Sequence, residues 1–284
     1  MKHSLVKGSK YIFLIPSLFF FGISMFISFL TGLNVAFTNW DGLSKSYDYV
    51  GFNNFRLMLS DKNLIVPIRN TIYYALFVTV FNNIITLFLA VMLNRKFRGR
   101  NILRTIFFVP TCLSAVLAAF TWGFIYREVF QNVFGANSPL GSMKYVIPGI
   151  AGITLWNSCG INLVIYLAAL ANVPNELNEA ALIDGAGRWR KFWNITVPMI
   201  MPAFSVCVTL TLTYSLREFA MPMAATSGGG PARASETMAI YIYNNLYAFN
   251  RAGYGQAVAF AFMIFLIFIG YSVSRIFRSR EVEL

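Results

Sequence analysis

Four polar side chains follow one another at helical spacing in the second half of the chain: Thr211, Tyr214, Ser215 and Glu218. Positions i, i+3, i+4 and i+7 lie on one side of an α-helix. Hydroxyl groups, a carboxylate and an aromatic ring can hold a sugar, because they offer directional hydrogen bonds and a flat face for its C–H side. For Thr211 and Ser215, and equally for Ser158 earlier in the chain, the alternative is contact between packed helices, which small hydroxyl residues commonly make.

The charged residue of this set needs a polar environment. A charge at the centre of a membrane helix costs roughly 2.5 to 3.5 kcal/mol, so Glu218 is expected to face a cavity. Arg217 is expected to face elsewhere, because successive helix positions diverge by about 100°. A second set at the same spacing is expected to make helix contacts; it consists of Thr79, Asn82, Asn83 and Thr86.

The elements that must position these groups are membrane spans. The 284 residues are 57% hydrophobic and only 12% charged, and six uncharged stretches of 22 to 31 residues dominate the chain. About 20 apolar residues suffice to cross a bilayer, so a soluble globule and a disordered chain are both excluded. We predict an all-α integral membrane protein with six transmembrane helices in a single domain, 1–284. The predicted spans are about 11–37, 71–93, 102–126, 145–170, 199–226 and 254–277.

The sequence lacks the residues that several kinds of functional site need. The chain has one histidine, His3, and three cysteines, all within predicted spans. We therefore expect no metal site and no disulfide. The glycine run Gly228 to Gly230 is not followed by the Lys-Ser/Thr pair of a phosphate loop, so we expect no nucleotide site in this chain. The net charge of +12 is better explained by a membrane than by nucleic acid, because anionic lipid attracts basic residues that flank spans.

The distribution of basic residues predicts the orientation. Of the 23 lysines and arginines, 14 lie in the termini and in the second and fourth loops, and five of these lie between Arg95 and Arg104. Basic residues accumulate on the cytoplasmic side. We predict a multi-pass protein of a bacterial-type plasma membrane with both termini in the cytoplasm.

The fourth loop, 174–198, is predicted to be cytoplasmic and structured. Ala180 to Ile183 favour a helix, Gly185 and Gly187 stop or bend it, and a second short segment carries Trp189 and Phe192 on one side. Two amphipathic pieces joined by glycine indicate a docking element. The alternative is a loop that lies on the lipid headgroups.

This loop resembles the EAA loop of ABC-importer permeases. Glu179-Ala180-Ala181, three residues, Gly185, nine residues and Ile195-Thr196-Val197-Pro198 match E-A-A-x3-G-x9-I-x-L-P at every fixed position except Val197. The longer form, which includes Gly187 and Phe192, resembles the sugar-importer branch, typified by the larger maltose-system permease. Further similarities are Gly51-Phe52-x-Asn54-Phe55, Asn70-Thr71, Phe107-Phe108-x-Pro110 and Gly228 to Pro231.

The resemblance implies a coupling helix that sits in a cleft of a separate ATPase. Glu179 would contact that subunit, Ala180 and Ala181 would pack closely, and Gly185 would make the bend, with Asp184 beside it in the same contact. The implied partners are a second permease in a heterodimer, two cytoplasmic ABC ATPases, an extracytoplasmic solute-binding protein and a sugar or oligosaccharide. ATP and Mg would be bound by the ATPases. This chain would hold no cofactor and would not be an enzyme.

The resemblance also implies a substrate path. The positions of Thr211, Tyr214, Ser215 and Glu218 align with sugar contacts of the maltose-type subunit, and so do Asn157, Ser158 and Thr111. Glu218 and Ile161 depart from that pattern, because the similar protein carries a neutral amide and an aromatic residue at these positions. The ligand is therefore expected to be bound differently.

Two other functions are possible from the residues alone. An ion-coupled secondary transporter would need intramembrane carboxylates and an inverted repeat, and only Glu218 qualifies. An intramembrane hydrolase would need an Asp pair or a histidine base at membrane depth, and the sequence offers neither.

Overall fold

The structure is a computed structural model that describes residues 14–278. The predicted start of the first span at residue 11 lies outside the described residues, as do Lys2, Lys7, Lys10 and Arg280.

The described chain is helical, with one isolated bridge between Thr38 and Tyr49. The helices, in chain order, are α1 Leu14–Ala36, α2 Asn53–Ser60, α3 Ile65–Asn94, α4 Arg100–Phe108, α5 Ala115–Phe134, α6 Val146–Ala171, α7 Asn175–Ile183, α8 Arg188–Met199, α9 Met201–Leu216, α10 Ala220–Thr226, α11 Met238–Tyr243 and α12 Ala252–Arg278. Among these, four helices are long and apolar enough to cross a bilayer, and two bent pairs raise the possible number of spans to six. The all-α membrane fold class is therefore confirmed.

The chain forms two compact units. One comprises the described residues up to Lys62 together with Ile242–Met263, and the other comprises Asn63–Tyr241 and the described residues from Ile264 on. That the whole chain is one transmembrane domain stays a prediction.

The first unit is tied together by polar contacts around α2. The side-chain amide of Asn54 donates to the carbonyl oxygens of Ala36 (2.9 Å) and Thr38 (2.8 Å), just beyond the end of α1. The Tyr254 hydroxyl donates to the Asp61 carboxylate at 2.6 Å. Because the last carbonyls of a helix lack partners within it, Asn54 satisfies groups that would otherwise be unpaired.

The second unit is built on α3 and α6, which pack against each other along their length. One apolar cluster joins α3 and α6 to α5, with Tyr74, Ile150 and Ile153 almost fully buried. A second cluster joins α3 and α6 to α9 through Leu163, Tyr166 and other residues. Together with α3, these clusters hold in place α6 and α9, the two helices that carry most of the predicted substrate residues.

The predicted third span is broken. The sequence predicts a continuous helix here, but Arg100–Cys112 and Ala115–Phe134 meet at 102°. Pro110 lies in the last turn before the break, where it supplies no backbone N–H, and Leu113 is extended. Ser114 then begins α5 by accepting a hydrogen bond from the Leu117 amide.

The predicted fifth span is broken twice. Arg188–Met199 and Met201–Leu216 meet at 69°, next to Pro198 and Pro202. α9 then ends at Leu216, and the separate helix α10 begins at Ala220. The predicted helical face from Thr211 to Glu218 therefore stops before its last member.

Candidate functional site: a polar cavity and an exposed bent segment

A polar cavity of about 470 Å³ opens in the second unit, among α3, α6, α9 and the break between α4 and α5. Its volume falls within the usual range for small-molecule sites. Six of the seven predicted substrate residues line it: Thr111, Asn157, Ser158, Thr211, Tyr214 and Ser215. The structure therefore brings together residues from three predicted spans, and their contact with a substrate stays a prediction.

Several of these residues serve the protein itself. The Asn157 side-chain amide donates to the carbonyl oxygens of Pro110 (2.7 Å) and Leu113 (3.2 Å), which lie at the break before α5. The Thr111 hydroxyl accepts a hydrogen bond from the Gly160 amide at 3.2 Å. A broken helix at membrane depth needs such substitute partners, because lipid offers none.

Gly160 allows this close approach. A Cβ atom at that position would lie 2.5 Å from the Thr111 hydroxyl oxygen and 3.0 Å from Cα of Phe108. Any larger residue would push α6 away from the end of α4. Glycine is thus required here by packing, although its backbone conformation is ordinary.

A buried hydrogen-bond network joins α3, α6 and α9 on one wall of the cavity. The Asn162 amide donates to Asn82 and to Thr211, each at 2.8 Å, and the Asn82 amide donates to Ser158 at 2.9 Å. The hydroxyls of Ser158 and Thr211 also donate to carbonyl oxygens of their own helices. The helix contact considered for Thr211 is present, and the predicted helix-contact role of Asn82 is confirmed.

Other cavity groups are less engaged. The Ser215 hydroxyl is buried and has no hydrogen-bond partner among the described residues. The Tyr214 side chain is 44% exposed. A buried hydroxyl without a partner is costly, so Ser215 favours an additional ligand or water in this cavity.

Two sequence expectations about the end of α9 are wrong. Glu218 does not extend the helical face, because the helix ends at Leu216; its buried carboxylate accepts a hydrogen bond from the Met221 amide at 2.9 Å and thereby caps α10. Arg217 was expected to face away, yet it lines the cavity beside Tyr214. The angle of about 100° between successive side chains holds only within a helix, and Arg217 lies beyond the end of α9. Pro222 was the available signal, since proline favours the first turn of a helix and so places a new start just before it.

The predicted coupling residues lie on an exposed segment formed by α7, α8 and the turn between them, here called the bent segment. α7 ends at Ile183, and Gly185 adopts φ +72°, as its predicted bend requires. The Gly185 amide donates to the Leu182 carbonyl and the Ala186 amide donates to the Ala181 carbonyl at 2.8 Å. This is a Schellman motif, whose left-handed position strongly favours glycine.

The bent segment presents apolar groups to the outside. Glu179, Ala180 and Asp184 are exposed, whereas Ala181 is buried. Ile183 is 88% exposed and Trp189 is 75% exposed. Exposed apolar side chains rimmed by polar ones are typical of a protein interface.

The chain is similar in sequence to known transport proteins. Residues 82–281 match the family described as binding-protein-dependent transport system inner membrane component. The chain is 31% identical to the probable starch degradation products transport system permease protein AmyD of Thermoanaerobacterium thermosulfurigenes, over 96% of this chain and 95% of the relative. It is 30% identical to the multiple sugar-binding transport system permease protein MsmF of Streptococcus mutans, over 95% of both chains.

The fold is also similar to a solved structure, that of a bacterial ABC transporter involved in the import of the acidic polysaccharide alginate. The TM-score is 0.84 at 22% identity, and the match covers 98% of each chain. The family match covers most of the chain, and two relatives are at least 30% identical over nearly all of it; together these matches show the family. The chain belongs to the binding-protein-dependent transport system inner membrane components, and it is a multi-pass ABC-importer permease.

Proposed function

We propose that this chain carries a sugar or oligosaccharide through its polar cavity, by alternating access driven by a separate ATPase. The observation that carries the proposal is that six residues chosen from the sequence line one cavity of about 470 Å³. Relatives named for starch degradation products and for multiple sugars support the substrate class.

Within the cavity, the proposal gives the ligand contacts to the groups that the fold leaves available. Ser215 supplies an unpartnered hydroxyl, Tyr214 a half-exposed ring, and Arg217 an exposed guanidinium. A sugar ring can stack on the tyrosine while its hydroxyls accept from the arginine and exchange hydrogen bonds with the serine. Asn157, Ser158, Thr111 and Thr211 shape the cavity and offer their remaining acceptor positions. Glu218 has an indirect role in this proposal, because its carboxylate caps the start of α10.

The proposed partners are the other subunits of an importer, and the exposed bent segment is the proposed contact with the ATPase. Glu179, Ala180, Ala181, Asp184 and Gly185 would dock on one of two cytoplasmic ABC ATPases, which bind the ATP and Mg. A second permease, in a heterodimer, and an extracytoplasmic solute-binding protein would complete the importer. The structure of a related alginate transporter in complex with a pentasaccharide-bound periplasmic protein supports the last of these. Both termini would lie in the cytoplasm.

The ion-coupled alternative is not proposed. The family assignment supplies a different energy source, and the Glu218 carboxylate is already bound to the Met221 amide. Among the described residues, no group of His, Cys, Asp and Glu is arranged to hold a metal ion.

The test is uptake by the complete transporter in proteoliposomes, with a panel of labelled sugars and the purified binding protein. Import should require ATP and all subunits. Tyr214→Ala should raise the substrate concentration needed for half-maximal uptake, whereas Tyr271→Ala, an exposed tyrosine of α12 that does not line the cavity, should leave uptake unchanged. Uptake that continues without the ATPase and follows an ion gradient would contradict the proposal.

A further inference from the structure

A second cavity of the second unit, of about 530 Å³, lies where the C-terminal ends of α3 and α6 meet α8. Three cationic side chains line it: Arg95, Arg188 and Lys191. Asn94 and Thr196 add polar groups, and the cavity has no carboxylate among its lining residues. In the part of the chain that the structure describes, none of the three cations forms an ion pair.

The remaining lining residues of the cavity are apolar. They are Val91, Leu170, Val173 and Phe192. Phe192 stacks on Trp189 with ring centroids 6.2 Å apart, and Trp193 meets both rings edge-on. Tryptophan side chains concentrate at the level of lipid headgroups. The cavity thus has both cationic and apolar lining residues, and it lies beside aromatic residues of the kind found at a membrane surface.

Helix dipoles do not account for the three positive charges. A helix C-terminus carries about half a negative charge, so the ends of α3 and α6 together offset about one of the three. The end of α3 already has a cation of its own, because the Arg104 guanidinium donates to the Leu93 carbonyl at 3.1 Å. About two positive charges are left for something that is not part of the chain.

We propose that this cavity binds the phosphate of an anionic phospholipid. A lipid satisfies both kinds of lining residue at once: its phosphate accepts hydrogen bonds from the arginines and the lysine, and its acyl chains contact the apolar residues. Free phosphate would satisfy only the cationic residues. Basic cavities between membrane helices are known to bind such headgroups. The lipid would hold α8 against the ends of α3 and α6.

The experiment measures lipid binding by the full chain in a neutral detergent, using native mass spectrometry. Phosphatidylglycerol is titrated first, then phosphatidylcholine, and inorganic phosphate is added as a soluble competitor. The double variant R188Q/K191Q removes two lining charges. The matched control R98Q/R100Q removes one charge from the loop before α4 and one from the first residue of α4, and neither residue lines the cavity.

The wild-type chain should bind phosphatidylglycerol in preference to phosphatidylcholine. Each basic residue near an anionic lipid contributes about fivefold in affinity, so R188Q/K191Q should bind phosphatidylglycerol about thirtyfold more weakly. The control should change by less than threefold. Circular dichroism checks that helicity is kept, and R95Q, on a different helix end, gives an independent variant with an expected loss of about fivefold.

Two results would overturn the proposal. Equal losses in R188Q/K191Q and R98Q/R100Q would mean that the lipid responds to overall charge rather than to this cavity. Displacement of phosphatidylglycerol by an equal concentration of inorganic phosphate would mean that the cavity holds a soluble anion instead of a lipid.

Discussion

Replacing Asn157 by alanine separates a structural role from a ligand contact. The Asn157 side chain uses both amide hydrogens, on the Pro110 carbonyl at 2.7 Å and on the Leu113 carbonyl at 3.2 Å. Both acceptors lie where the third predicted span turns by 102° and the helical ladder is interrupted. Asn157→Ala removes both bonds and supplies no replacement donor.

The magnitude follows from the two lost hydrogen bonds. A hydrogen bond within a protein contributes a net of about 0.5 to 1.5 kcal/mol, and bonds between membrane helices average about 0.6 kcal/mol. Because Asn157 also lines the cavity, water can reach part of the vacated space. We therefore expect the free energy of unfolding to fall by about 1 to 2 kcal/mol.

The assay is reversible unfolding of the purified chain in mixed micelles with increasing SDS, followed by far-ultraviolet circular dichroism. Thr213→Ala is the control, because Thr213 lines the same cavity but its hydroxyl donates only to carbonyls of its own helix. Its free energy of unfolding should change by less than about 0.5 kcal/mol. Uptake by the reconstituted transporter is measured in parallel for both variants.

An Asn157→Ala protein as stable as the wild type, with uptake strongly reduced, would refute this reasoning. The two hydrogen bonds would then contribute nothing measurable to the break. The side chain would act on the ligand, as the family resemblance alone implies.

Three further predictions concern other parts of the chain. Gly185→Ala places a Cβ atom on a residue with φ +72°, which costs about 1 kcal/mol, and it should reduce the substrate-stimulated ATPase activity of the complete transporter. Gly187→Ala is the control and should leave this activity unchanged, because Gly187 has φ −66° and open space around it. Ser215→Ala should weaken substrate binding without loss of stability, whereas Thr211→Ala should lower stability by about 1 kcal/mol, because only Thr211 has partners on other helices. The pKa of Asp41 is lowered to about 2, because its carboxylate accepts hydrogen bonds from the hydroxyl and from the backbone amide of Ser44. The turn that this carboxylate stabilises should persist above about pH 4 and be lost as the pH falls towards 2. The fluorescence of Trp40 would report the loss. The fluorescence of the Asp41→Asn variant should not change over the same pH range.

The break in the third predicted span shows where sequence reasoning was insufficient. Phe107-Phe108-x-Pro110 marked this place as similar to the family, and proline is a known helix breaker, but the uncharged stretch from Thr105 to Tyr126 looked long enough for one span. At the 102° bend, the Pro110 carbonyl accepts a hydrogen bond from the Asn157 amide, which lies 47 residues further along the sequence. A partner at that separation is not visible in a local pattern.

The bent segment was the most predictable part of the site. Its helix, its glycine turn and the exposure of its apolar residues follow from neighbouring positions: Ala180 to Ile183 favour a helix, and Gly185 permits the left-handed turn that ends it. Short-range hydrogen bonds decide such a structure. The ATPase contact of Glu179 stays a prediction.

The sequence alone determined that this chain consists of membrane helices with a glycine-bent segment, because uncharged length and local backbone preferences are properties of consecutive residues. Only the tertiary structure decided what the polar residues do. It assigned Asn82, Asn162 and Thr211 to one buried network, engaged Glu218 in capping a helix, and brought Arg217 into the cavity. Whether a polar group bonds to the protein or is left available depends on which atoms lie within about 3 Å of it, and packing of distant helices sets those distances.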